Sequence, residues 1–277
     1  MRIISLLVLL SLLLPAGVPA DQSSGETIHQ PLDQILDLQV RDGLVYYRAL
    51  KSERGRLDRY VASLDVPAAT YGGWSRDEQV AFWINAYNAF VLQAVIDHYP
   101  IRGKAPAYPA ASLRQIPGAF ERTKHRAAGR SVTLDEIEKT ILPALKEPRA
   151  YLALGRGAVG SGRLRSEAYT GSRLSAQLNA VQAEFVSERA MLTIDRAANQ
   201  LTVTPIVSWH EAEFVAAYDK GADGPFAQRS AIERALVAFI QPHLLPLERE
   251  FVQKNTFRVT YHAFDWRLND LTGGRSF

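Results

Sequence analysis

The residues with the most chemical promise lie in one glycine-rich run, Gly155-Arg156-Gly157-Ala158-Val159-Gly160-Ser161, followed by Arg163 and Arg165. Glycines let successive backbone N–H groups converge into an anion-binding nest, and an arginine offers a planar fork of donors suited to carboxylate or phosphate. Arg156, Gly157, Gly160, Arg163 and Arg165 are therefore the candidate anion-binding residues. The same run spells G-x-G-x-x-G after an apolar segment. A dinucleotide site needs the third glycine to open a helix and an acidic residue about 20 positions on. Here Ser161-Gly162-Arg163 follows instead, so no nucleotide cofactor is expected. Ser161 is a candidate nucleophile, with His210 or His262 as base, but the G-x-S-x-G elbow is missing and nothing identifies a third member. No H-E-x-x-H occurs, and the spacing of His210, Glu211 and Glu213 does not put metal ligands on one helical face. With no cysteine in the chain, thiolate catalysis, iron–sulfur ligation and cysteine-bound zinc are excluded. Neither metal nor cofactor is expected.

The elements that must position these residues follow from periodicity and punctuation. Arg2, the apolar run Ile3–Leu14 and Val18-Pro19-Ala20 compose a secretory signal peptide over residues 1–20, with an uncleaved anchor as the alternative. The expected location is periplasmic or secreted, with no later transmembrane segment. Residues 21–30 are polar and read as a short disordered lead, and 31–277 as one domain, since no repeat or linker divides them. Hydrophobic residues make up 47% and charged residues 22%, enough for an ordinary core without disulfides. A net charge of +3, scattered along the chain, does not argue for nucleic acid.

Helices are expected from Pro31 to Asp42-Gly43, over about 48–64, and over 76–98. The last of these has the S-x-x-E capping box Ser75/Glu78 and stops before Pro100. It is apolar nearly all round, so it should be the buried central helix. On it, Asn85 and Asn88 sit three apart and should tie adjacent loops to it, while Trp83 and Tyr87, with Trp209 and Trp266 elsewhere, should be core. Residues 100–130 read as irregular, and Thr133/Glu136 caps a helix that Pro143 bends or ends. Ala150–Leu154 reads as a strand, 155–167 as a loop, about 172–189 as a helix, and 192–204 as a hairpin. Helices at about 209–219 and 229–241, the second broken by Pro242 and Pro246, precede a strand at Thr256–Tyr261. The expected class is α+β: a helix-rich single domain with a small antiparallel sheet packed on the buried central helix.

Glu78-Gln79-Val80-Ala81-Phe82-Trp83-Ile84-Asn85-Ala86-Tyr87-Asn88-Ala89-Phe90 resembles the hallmark helix of the domain of unknown function 547 family. Val40–Tyr47, Val132–Glu138, Pro148–Leu154, Ala168-Tyr169-Thr170 and Phe264-Asp265-Trp266-Arg267-Leu268-Asn269 fall in the family's order, so Trp83, Asn85, Tyr87, Asn88, Asp265 and Trp266 are its structural motif residues. The resemblance implies a fold and often export, but no established activity. Relatives commonly carry cysteines in the loop after the Ala-Leu segment. This chain departs there, with Arg156 and Ser161 at those positions and Lys139 and Tyr151 where histidines are frequent. Two readings follow. One is a non-catalytic envelope protein that binds an anionic small molecule or an envelope partner protein through loop 155–167. The other is a hydrolase with a Ser/His site in place of a thiol.

Overall fold

A computed structural model describes residues 24–221 and 224–273. The expected signal peptide lies outside the described residues. The chain is α+β, with the helix Arg76–His98 at its centre. Both halves of the capping box form: Ser75 Oγ accepts from Glu78 N, and Glu78 Oε2 accepts from Ser75 N at 2.8 Å. By length and apolarity this helix could span a bilayer, yet 89% of its most apolar window is covered by the rest of the protein. Burial on all sides explains its low amphipathicity, because every face meets another element. The two asparagines then satisfy buried loops. Asn85 donates to Tyr169 O and accepts from Tyr169 N, while Asn88 donates to Ala153 O and accepts from Gly155 N. One amide side chain thus supplies a donor and an acceptor to backbone groups that would otherwise be buried unpaired.

Several elements differ from the periodicity reading, each for a local reason. The lead is folded from Ser24 onward: Ser24–Thr27 is a helical turn, Glu26 Oε1 accepts from Ser172 N, and His29 is buried with Nδ1 2.8 Å from Tyr60 OH. Burial lowers the His29 pKa to about 3. Gln30–Gln39 stops earlier than Asp42-Gly43, because those two residues, at φ 50 and 79, turn Val40–Arg41 back onto Leu44–Val45 as a hairpin. The next helix is split into Tyr47–Ser52 and Gly55–Ser63. Within 100–130 a second hairpin pairs His125–Ala127 with Arg130–Val132 through Ala128 and Gly129, both at positive φ. Its three-residue strands are too short to show alternation.

Ala150–Ala153 is one helical turn rather than a strand. A short apolar run cannot be told from a buried helical segment by periodicity, and here Pro148 and Arg149 start the turn by accepting from Tyr151 N and Leu152 N. Past the loop, a 3-10 turn leads into helix Leu174–Ser187. The hairpin Leu192–Asp195/Gln200–Val203 forms as expected, but the closing strand Arg258–Tyr261 joins it in parallel, so this sheet is mixed. Helices Ile206–Trp209, Glu211–Tyr218 and Ala231–Ile240 lie between them. Pro246, expected only as a breaker, is the first residue of a further helix, Pro246–Gln253, where its missing N–H costs nothing.

Candidate functional site

The capped turn Leu134–Glu136 continues as a wide π turn, Ile137–Ile141, before Leu142–Leu145. Pro143 has no N–H for Lys139 O and its ring crowds that carbonyl. The backbone relaxes by shifting the bond pattern one residue, so Leu142 N donates to Ile137 O. This widened turn carries Glu138, buried despite its charge.

Three elements meet Glu138. From the central helix, Tyr87 OH donates to Oε2 at 3.0 Å. From the glycine-rich run, Arg156 donates to Oε1 through Nη2 at 2.5 Å and Nε at 3.2 Å. From the residue between helices Ile206–Trp209 and Glu211–Tyr218, His210 Nε2 lies 3.0 Å from Oε1, which places the ring proton on that nitrogen. The Arg156 guanidinium also reaches Tyr151 O and Leu154 O, and its side chain is only 2% exposed. Tyr151 stacks flat on His210, ring centres 3.6 Å apart.

The electrostatics follow from that geometry. Burial alone would raise the Glu138 pKa, but Arg156 and the His210 hydrogen bond outweigh it and hold the carboxyl well below its usual range. Burial would lower Arg156, and Glu138 more than reverses this. The pair therefore stays ionised. Burial, with Glu138 next in importance, pushes the Tyr87 hydroxyl far up, so it remains a donor. Tyr151 is likewise raised, by burial first and then by Glu213 and Glu138.

The anion cradle expected on this loop does not assemble. Arg156 points into the protein, and Gly160 N donates to Asp265 O at 2.9 Å. Gly160 is needed for close approach, since a Cβ there would sit 2.6 Å from Asp265 N. Gly157, at φ 65, turns the chain against Val91 and Leu113. Arg163 and Arg165 lie together elsewhere, sharing Glu184; Arg163 also pairs with Asp42, and Arg165 with Glu167. Residues 155–158 and Ser161 are buried over the Arg156 anchor, while Val159, Arg163 and Ser166 are exposed. Nor does a Ser/His pair form. Ser161 Oγ accepts from Arg156 N at 3.0 Å, His210 is committed to Glu138, and the His262 ring approaches Thr193 Oγ1 at 3.5 Å. Asp265 pairs with Arg267 while its backbone carbonyl receives Gly160.

Above the Glu138–Arg156 pair opens a cleft of about 470 Å³. Phe120, Trp209 and Trp266 supply its aromatic walls, and Asp135, Lys139 and Glu213 stand at its edge. Trp209, read as core, is 45% exposed. Its ring packs on Phe264 at 4.9 Å and lies nearly parallel to Trp266 at 6.3 Å. Arg114 lies over Phe120 and Trp266 and pairs with Glu121. Glu138 is the functional residue that motif reading passed over. Its signal was present: with Leu134, Ile137 and Ile141 it occupies one apolar helical stripe, where a carboxylate demands a buried partner.

These features define an α+β protein with a locked ion pair beneath an aromatic cleft. Residues 71–186 match the family model described as protein of unknown function, DUF547, and the chain resembles that family. The matched span holds Tyr87, Glu138, Tyr151, Arg156 and Ser161; Trp209, His210, Glu213 and Trp266 lie beyond it. Comparison with curated proteins and with solved structures gave no match.

Proposed function

We propose that this is an exported, non-catalytic protein that binds a ligand in the Trp209 cleft. The observation that carries this reading is the buried Glu138–Arg156 pair at the cleft floor. A guanidinium stands at the position where the family resemblance implies a thiol. It is neither nucleophile nor general base at ordinary pH, and it neutralises the Glu138 carboxylate, which also accepts from His210 Nε2. The aromatic walls suit a binding cleft, in which apolar faces supply contact and a few polar groups set orientation. Export is supported by residues 1–20, whose charge and apolar run fit a signal segment. The arginines of loop 155–167 are matched by carboxylates, so the cleft, and not the loop, is the site proposed.

A test of the catalytic side uses p-nitrophenyl acetate and a thioester substrate. Wild type, Ser161→Ala and His210→Gln should give equal rates, none above a size-matched inert protein. A wild-type rate that falls at least roughly a hundredfold in either variant, the scale of a lost nucleophile or base, would overturn the reading in favour of a Ser/His hydrolase.

A further inference from the structure

The geometry points to an organic cation, a substituted ammonium with apolar substituents, as the class of ligand for the Trp209 cleft. This rests on the reading of the cleft as a binding site and adds the charge of what it takes.

The charges that line the cleft are matched, with one exception. Arg156 is neutralised by Glu138 at 2.5 Å, Lys139 by Asp135 at 2.5 Å, and Arg114 by Glu121 at 2.5 Å. Each cation at the cleft thus has its own carboxylate, and His210 gives its ring N–H to Glu138. Glu213 is different. Its carboxylate lines the cleft, is half-buried, and makes no hydrogen bond or ion pair among the described residues. It is the one lining charge left without a partner there.

The walls carry the same sign of preference. The face of an indole or phenyl ring is the negative end of its quadrupole and attracts cations. The cleft already shows this use: Arg114 lies 4.2 Å from the Phe120 ring centre and 4.7 Å from that of Trp266, and Arg156 lies 5.8 Å from that of Trp209. Trp209 has ring surface to spare, being 45% exposed. A ligand ammonium between the Trp209 face and the Glu213 carboxylate meets negative potential on two sides, and its apolar substituents cover indole surface. An anion there meets an unpaired carboxylate and the wrong face of the rings.

The test uses three probes of nearly one shape: choline, its neutral isostere with carbon in place of the quaternary nitrogen, and pivalate. Each has a methyl singlet for saturation-transfer NMR against the full chain at fixed ionic strength. Choline should bind saturably, the neutral isostere roughly tenfold more weakly, as a cation–π contact plus one carboxylate allows, and pivalate weakest. In Glu213→Gln choline should fall to the affinity of the isostere while the isostere is unchanged. In Trp209→Ala all three signals should go. Thermal melts confirm that both variants fold. If isostere or pivalate binds wild type as tightly as choline, and Trp209→Ala still abolishes it, the cationic preference is overturned while the cleft stands. If the signals persist in Trp209→Ala, or no probe responds at all, the cleft reading falls as well.

Discussion

Arg156→Leu is expected to lower unfolding stability by about 3–5 kcal/mol, the usual cost of removing one member of a buried ion pair. The reason lies less in the attraction lost than in the charge left behind. Glu138 would remain buried with only Tyr87 and His210 as donors, and Tyr151 O and Leu154 O would lose the guanidinium that reaches both. Glu138→Leu should cost a similar amount by stranding the cation. The double variant Glu138→Leu/Arg156→Leu should recover much of the loss, because an apolar pair of similar volume strands no charge. Urea denaturation of the four proteins measures this. Losses that simply add, or a single-variant loss below about 1 kcal/mol, would mean that the pair is not the closed unit described.

Trp83→Ala should cost about 3–5 kcal/mol, in the range of large aromatic deletions from a core. The side chain is fully buried, its ring centre is 5.1 Å from that of Phe82 and 5.9 Å from that of Tyr71, and its Nε1 donates to Tyr71 OH at 2.8 Å. Truncation opens a cavity and takes a donor from a largely buried hydroxyl. The cavity cannot collapse easily, since the helix carrying Trp83 is fixed on its other faces, with Asn85 and Asn88 bonded to separate loops. A loss below about 1 kcal/mol in urea melts would mean this part of the helix is loosely packed.

The central helix could be read from the chain almost to the residue, because a capping box, an apolar run and a proline each act locally. The asparagine roles were legible for the same reason: a buried amide must bond, and loops are what lie nearby. Elements fixed by long-range pairing were not. The parallel strand Arg258–Tyr261 owes its direction to a partner some 58 residues earlier, Gln200 facing Arg258. The hairpin at His125–Val132 owes its existence to a two-residue turn between strands too short to show a period.

The site was half legible. Arg156 stood out because the family resemblance implies a thiol at its place, but an arginine flanked by glycines reads as exposed, and here it is buried. What reverses the reading is Glu138, which is 18 positions away and became visible as a partner only once the π turn before Pro143 was folded. Trp209 failed in the opposite sense. Aromatic residues default to the core, and only the meeting of three separate segments at Phe120, Trp209 and Trp266 leaves its ring uncovered.

A crystallographic fragment screen asks whether the Trp209 cleft is a binding site, since it shows where small molecules settle without presuming which ones. The Trp209 cleft should collect the bound fragments, in van der Waals contact with the Trp209 ring above an undisturbed Glu138–Arg156 pair. A second groove is lined by Leu192, Thr193, His243 and Leu245; fragments gathered there, with the Trp209 cleft empty, would contradict that reading.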